Sequence, residues 1–372
     1  MNKKFSLANT QKLSHAYNLF HQGFVEEAED LVNRILKKNS INFYALNLLG
    51  IIRLREGNLE PAIALLKKAN DLNVNPELLS NLALAYQESG AIEKAKDLYS
   101  QALEIDPRYM NALFNQHAIW LDQGQIETAI NNLLKIIDFN PYDDEAIYML
   151  IHIHHAYKNE FIPHYENFLS KTNELTRSRL RAFRYFVNNK SKPKLLGSGH
   201  TVLKKAFDSI LLEHGLILEF GVRHGTSIRQ LASFTSKMIY GFDSFEGLPE
   251  DWHKESKEIY STKGKIPKVP NHVSLISGWF DKTLPSFLET HESDIALINI
   301  DCDIYSSTKT VLDLLKSHIK KGTIIIFDEY FGNLHWEEDE YKAFKESVNQ
   351  YHWKYEYLFY SAYTKQAVVQ II

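Results

Sequence analysis

Two kinds of hydrophobic patterning divide the chain. Up to about residue 157, apolar residues return every three or four positions, the period of helices packed along one face. In one stretch Leu79, Leu82, Ala83 and Tyr86 form a first stripe, Gly90 interrupts it, Ala95, Tyr99 and Ala102 form a second, and Pro107 closes the unit. Glycines 23, 57, 90 and 124 lie 34, 33 and 34 residues apart, and alanines 28, 62, 95 and 129 keep the same intervals. From residue 200 the pattern changes to short apolar runs between helical stretches. A helix over 201–213 precedes a strand at 216–220; a helix over 226–235 and strands at 238–242, 273–277, 295–300 and 323–327 follow. Runs at 355–361 and 365–372 read as a terminal hairpin. Strands alternating with helices predict a parallel sheet with crossover helices, here with an antiparallel C-terminal edge.

A period near 34 with these residue types resembles the tetratricopeptide repeat, in which paired helices stack into a solenoid. Leu113, Trp120, Gly124, Ala129, Leu133 and Pro141 repeat the plan in a fourth unit. The first two units are weaker: Arg53 stands where the third has Tyr86, and neither closes on a matching proline. Residues 143–157 read as a closing helix. Asn81 and Asn115 occupy one position in successive units and would present matched amides to a peptide backbone; the plainer reading is a scaffold or dimerisation surface. His152, His154 and His155 do not share one helical face, so no metal site is expected of them. The repeat fades between 158 and 199, where TNELTRSRLRAFRYF is a basic amphipathic helix and Pro193, Gly197 and Gly199 mark a polar linker. The expected organisation is a repeat domain over 1–160, a helical linker over 161–199 and an α/β domain over 200–372.

Composition narrows the function. With 42 basic against 46 acidic residues the net charge is −4, which gives no electrostatic case for nucleic acid or an anionic membrane. Cys302 is the single cysteine, so a reducing compartment fits. No apolar leader follows the basic start, and the longest apolar runs are far too short for a bilayer. A cytoplasmic protein is expected.

The candidate chemistry falls at the carboxyl ends of the strands, where open α/β sheets bind ligands. Glu219-Phe-Gly221-Val-Arg-His-Gly225-Thr226-Ser227 is a glycine loop that leads into a helix N-terminus, suited to a carboxylate. Its G-x-x-x-G spacing is not the dinucleotide fingerprint. Asp243, followed by Ser244, lies 18 residues beyond Gly225, near where an acidic residue holds a ribose diol. Ser277, Gly278 and Trp279 end the next strand, with an aromatic ring placed to stack on a base. Asp301, Cys302 and Asp303 follow the fourth strand, and Asp328 and Glu329 follow the fifth. Neighbouring parallel strands would bring these four acids into one crevice, a costly arrangement that a hard divalent cation relieves. The plainer reading of some of them is helix capping.

Together the glycine loop, FDSFEGLP, GWFDKTLP, DCDIYSST and FDEY resemble the macrocin O-methyltransferase-like family over about residues 200–372. That resemblance implies a class I methyltransferase with a Rossmann-like sheet, acting on sugar hydroxyls with S-adenosylmethionine and Mg²⁺ or another divalent cation. Glu219, Gly221, Gly225, Thr226, Ser227, Asp243, Ser244, Ser277, Gly278, Trp279 and Asp301 would then bind the cofactor. Asp301, Asp328 and Glu329 would hold the metal, with Asp303 as the base that takes the acceptor hydroxyl's proton or as a further ligand. Two departures stand out: Cys302 replaces the family's usual glycine, and Glu329 its usual aspartate. His335 and Trp336 are candidates for the acceptor pocket. The partners this reading allows are a small-molecule or glycan substrate, a protein held by the repeats, and a second copy of the chain.

Overall fold

The structure, a computed structural model, describes residues 2–158, 168, 170, 173–258 and 260–372, with side chains from Gln11 onward. The end of the expected repeat domain (159 and 160) and part of the expected linker (161–167, 169, 171 and 172) lie outside the described residues. The chain divides into two compact units, Met1–Gln116 and His117–Ile372. The division falls inside a helix of the fourth repeat, earlier than the change of sequence pattern near 160–199.

The first unit is built of antiparallel helix pairs: α1 (Asn2–His21) with α2 (Val25–Lys38), α3 (Phe43–Arg55) with α4 (Leu59–Leu72), α5 (Pro76–Glu88) with α6 (Ile92–Ile105), and then the start of α7 (Met110–Asp122). The periodic glycines end the first helix of each pair in the left-handed region, with φ of 89°, 72°, 79° and 74° at Gly23, Gly57, Gly90 and Gly124. The periodic alanines 28, 62 and 95 are fully buried, which lets the paired helices approach closely. Asn42 and Asn75 cap α3 and α5 by accepting from Ala45 N–H and Leu78 N–H. Asn81 is the donor to Asn47 Oδ1 at 3.0 Å, and Asn47 in turn donates to Glu77 at 3.0 Å and to Tyr17 OH at 3.2 Å. Asn81 thus spends its amide on the equivalent residue one repeat earlier, Asn47, and not on a free surface.

The second unit contains the rest of α7, α8 (Ile126–Phe139), α9 (Asp144–Ile153) with a π-helical turn at His154–Lys158, a helix Glu174–Val187, and the α/β region. Among the described residues eight strands form one sheet in the order β1-β7-β8-β6-β5-β2-β3-β4. They are β1 (Lys194–Leu195), β2 (Leu216–Phe220), β3 (Ile239–Asp243), β4 (Val273–Ser277), β5 (Ile295–Ile300), β6 (Ile324–Phe327), β7 (Tyr355–Ser361) and β8 (Gln366–Ile371). β4, β3, β2, β5 and β6 run parallel, and β8 is antiparallel to both β6 and β7. The expected hairpin is present, but it is not the edge: β1, hidden in the linker, adds a parallel strand beyond β7. Strand order reverses between β2 and β5, the switch point at which such sheets open a crevice. No helix among the described residues is long and apolar enough to cross a membrane.

The closing helix α9 is enclosed within this unit rather than presented to solvent, with every residue from Ala146 to Ile153 buried. His152, fully buried, stacks edge-on against Phe183 at 5.0 Å, and burial pushes its imidazole down to about 3. The linker is equally tied in. Asp122 accepts from Gly197 N–H, Ser198 N–H and Ser198 OH at 2.6, 2.8 and 2.7 Å. A Cβ on Gly197 would meet the Ala118 carbonyl oxygen at 2.1 Å, so only glycine fits this crossing. Replacing Asp122 with alanine would strand two buried amides and is expected to lower stability by about 2–3 kcal/mol in denaturant unfolding. A change within about 0.5 kcal/mol would mean that the clasp contributes nothing.

Candidate functional site

The site lies at the carboxyl ends of the parallel strands, where three backbone features fix its shape. Gly221 follows β2 with φ 91°, and a Cβ there would sit 1.7 Å from the Asp301 carbonyl oxygen. The first loop therefore passes directly over the end of β5, which only glycine permits. Gly225, with φ 78°, is the N-cap of the helix Thr226–Ser233 and turns the loop into it. Asp243, the last residue of β3, organises the loop: Oδ2 accepts from Val222 N–H and Arg223 N–H at 2.8 and 2.6 Å, and Oδ1 accepts from Phe245 N–H at 2.6 Å.

Above these features opens a cavity of about 810 Å³. Of the residues singled out from sequence, Gly221, Asp243, Ser244, Trp279, Asp301, Asp303, Asp328 and Glu329 line it. Glu219, Gly225, Thr226, Ser227, Ser277 and Gly278 do not line it. Glu219 lies beneath the loop, fully buried, where it accepts from Ser227 OH at 2.9 Å and Asn299 Nδ2 at 3.1 Å. It links β2, β5 and the helix start. Trp336, expected in the acceptor pocket, is core instead: it is buried and packs edge-on against Tyr341 at 4.7 Å. His335 stacks on His253 at 4.0 Å and is not part of the cavity wall.

The acids meet as the parallel register predicts. Ile300 pairs with Phe327, so the residues that follow, Asp301 and Asp328, emerge side by side. Crowding by protein, then repulsion from Asp328 and Asp303, holds the Asp301 carboxyl well above the usual range. Asp303, at φ 61°, is pushed up to about 8 by desolvation and by Asp328 and Glu329, with Arg223 acting in the opposite sense. Asp328 is pushed up to about 6 although it accepts from Gln366 Nε2 at 2.6 Å. Glu329 is held at the rim by Lys365 Nζ at 3.2 Å and Asn333 Nδ2 at 3.1 Å. Cys302, between the aspartates, also lines the cavity, with its Sγ 3.4 Å from Thr308 Oγ1.

Two residues of the site carry no clear sequence signal. Glu340, in the acidic run before the helix Glu340–Tyr351, is fully buried, and neither carboxyl oxygen has a hydrogen-bond partner. Burial and the nearby Asp303 and Asp328 push it well above the usual carboxylate range. It is a fifth acid of the cluster. Arg223 lines the cavity from the glycine loop in a left-handed conformation (φ 47°), with its guanidinium 5.1 Å from the centre of the Tyr260 ring.

Residues 218–330 match the family model of a methyltransferase domain, and residues 13–72 and 76–109 match tetratricopeptide repeat models. The chain therefore joins tetratricopeptide repeats to a methyltransferase domain. It is similar to a TPR repeat-containing protein of Methanocaldococcus jannaschii, 25% identical over 308 residues; that match covers 77% of this chain and 52% of the relative, so the chain spans about half of that protein's length. It is also similar to the 8-demethyl-8-(2,3-dimethoxy-alpha-L-rhamnosyl)-tetracenomycin-C 4'-O-methyltransferase of Streptomyces olivaceus, 28% identical over a 192-residue alignment that covers 41% of this chain and 72% of the relative. Among solved structures, a calicheamicin methyltransferase superposes with TM-score 0.41 at 21% identity, covering 57% of this chain and 94% of that one.

Glu219 gives this site a pH signature. Burial pushes its carboxyl from the ordinary 4.5 up to about 8. The folded chain thus keeps a proton that the unfolded chain releases near 4.5, and stability falls as pH rises between those values, by up to about 1.4 kcal/mol per pH unit. Glu219→Gln is expected to leave stability near pH 5 unchanged and to raise it at pH 8. Asn299 Oδ1, which has no partner, can turn to accept from the new amide. Thermal unfolding at the two pH values checks this, and equal shifts at both would contradict it.

Proposed function

We propose that the chain is an S-adenosylmethionine-dependent, divalent-metal-assisted O-methyltransferase acting on a hydroxyl of a sugar or sugar-containing metabolite or glycan. The observation that carries the reading is the union, in one cavity, of a glycine loop held by Asp243 with a cluster of carboxyls beside it. A volume of about 810 Å³ is ample for a cofactor and part of an acceptor. The similarity to the Streptomyces olivaceus 4'-O-methyltransferase, which acts on a rhamnosyl tetracenomycin, supports a sugar hydroxyl as the acceptor.

The residues present suit both groups. Asp243, Ser244 and Trp279 would hold the nucleoside half of the cofactor, and Gly221, Gly225, Thr226 and Ser227 would shape the loop around its methionine end, with Glu219 fixing the loop from below. Asp301, Asp328 and Glu329 would hold Mg²⁺; the orphaned oxygens of Glu340 fit a cationic neighbour in the same way. The bound cofactor supplies a sulfonium methyl group, and the cation supplies positive charge that makes an acceptor hydroxyl more acidic. Everything else falls to the protein. Asp303, raised towards neutrality, is the group placed to take the hydroxyl proton, since an efficient base titrates near working pH. Arg223 lies close enough to draw Asp303 down and limits how far repulsion raises it. Trp279 and Tyr260 wall the cavity against water.

The repeats are expected to bring a protein or carrier-bound acceptor to this cavity. The stacked helix pairs support that role, because a repeat array presents an extended surface to a partner.

Calorimetric titration with S-adenosylmethionine, with and without Mg²⁺, is the direct test. Micromolar binding that is lost in Asp243→Ala is the expected result, and no binding under either condition would remove the enzyme reading. Asp303→Asn is expected to cut turnover by about 10²–10⁴ with metal affinity nearly unchanged. A large loss of metal affinity would make Asp303 a ligand instead.

A further inference from the structure

Outside the acidic cavity, one other set of metal-ligating side chains converges among the described residues. His253, His335 and Glu338 present ligand atoms that all lie within 4.8 Å of one another. They come from two separate loops. His253 lies in the β3–β4 loop, whose Gly247, Leu248, Pro249 and Tyr260 form one wall of the cavity. His335 and Glu338 lie in the loop after β6, which begins with Asp328 and Glu329 of the opposite wall.

The local structure holds this convergence. Trp252 and Glu255 exchange backbone hydrogen bonds at 2.9 and 2.8 Å, a tight turn with His253 at its tip in the left-handed region (φ 53°). A non-glycine residue in that conformation needs its surroundings to fix it. Asp339, buried beside it, accepts from Trp252 Nε1 at 3.2 Å and lies 3.1 Å from His253 Nε2. Metal-binding histidines are steadied by such a carboxylate. The imidazole rings of His253 and His335 lie nearly parallel, 4.0 Å apart at 24°, so their nitrogens are already neighbours across the gap between the loops.

We propose that His253, His335 and Glu338 form a transition-metal site of the Zn²⁺ class, with Asp339 as the supporting carboxylate, that fastens the β3–β4 loop to the β6 loop at the rim of the cavity. The donor set separates it from the cavity itself. Two imidazoles and one carboxylate match zinc, cobalt or nickel, whereas the all-carboxylate cluster suits a hard ion such as Mg²⁺. The fastened loops carry residues of both cavity walls, so the ion would set how readily the cavity opens. The proposal does not depend on the methyl-transfer reading.

The test is a titration of the full, tag-free chain with Zn²⁺ in excess Mg²⁺, read by competition with a chromophoric chelator and by native mass spectrometry. One tightly bound Zn²⁺ is expected, with His253→Ala and His335→Ala each weakening it at least about tenfold. In parallel, Zn²⁺ should slow tryptic cleavage at Lys254 and Lys257 in the parent chain and leave it unchanged in the variants. All three proposed ligands reach solvent, so the variants are expected to fold, which circular dichroism checks. The proposal is overturned if the parent chain binds no Zn²⁺ in excess Mg²⁺. It is equally overturned if the double variant binds as the parent does, which would place the ion elsewhere.

Discussion

The crowding of carboxyl groups at the ends of β5 and β6 is the constraint to which the rest of the site answers. Sheet hydrogen bonds force it: Asp301 N–H donates to the Phe220 carbonyl and Asp328 N–H to the Ile300 carbonyl, so β2, β5 and β6 end in line and their next residues share one space. Nothing in the backbone allows the acids to spread apart. Burial, and then this crowding, raises the carboxyls of Asp301, Asp303 and Asp328 above the ordinary range, while Arg223 and Gln366 act against that rise and Lys365 and Asn333 hold Glu329. A cavity of this kind favours whatever carries positive charge, as the proposed sulfonium cofactor and divalent ion both would.

The first loop meets a second constraint, one of space and not of charge. Gly221 lies against the Asp301 carbonyl oxygen, so the cofactor loop and the acid-bearing strand cannot move independently. Asp243 joins the same assembly from β3 through three backbone amides. Three strand ends, drawn from residues 219 to 303, behave as one block. Its rigidity is what gives the acids a fixed relation to the loop.

Much of this was legible in the sequence. Apolar runs located the seven longer strands within a residue or two, most plainly the central β2, β5 and β6, which are buried on both faces and read as near-continuous apolar runs. The period of 34 located the repeats, since the glycines sit where backbone conformation tolerates little else. What escaped did so for physical reasons. β1 is only two residues long and has no period to detect. Glu340 stands in the run Glu337-Glu338-Asp339-Glu340, which looks like a solvated helix start until folding buries its last member. Arg223 lies between two informative glycines, and only its backbone angle reveals that it turns inward. Asn47 gives no signal because its repeat is otherwise irregular, and Trp336 reads as pocket because sequence does not separate an aromatic ring near a site from one in the core.

The clasp between Asp122 and the Gly197-Ser198 turn has a consequence for how the chain came to be assembled. Sequence pattern alone suggests two modules joined by a tether, each free to be exchanged. Yet Asp122 belongs by sequence to the fourth repeat, while the turn it holds opens the α/β region, and the buried α9 lies between them in the chain. The helices from His117 onward are therefore part of the core of the domain they precede. A recombination event at the visible seam would leave an open hydrophobic face, so inheritance of this half of the protein has to begin inside a repeat.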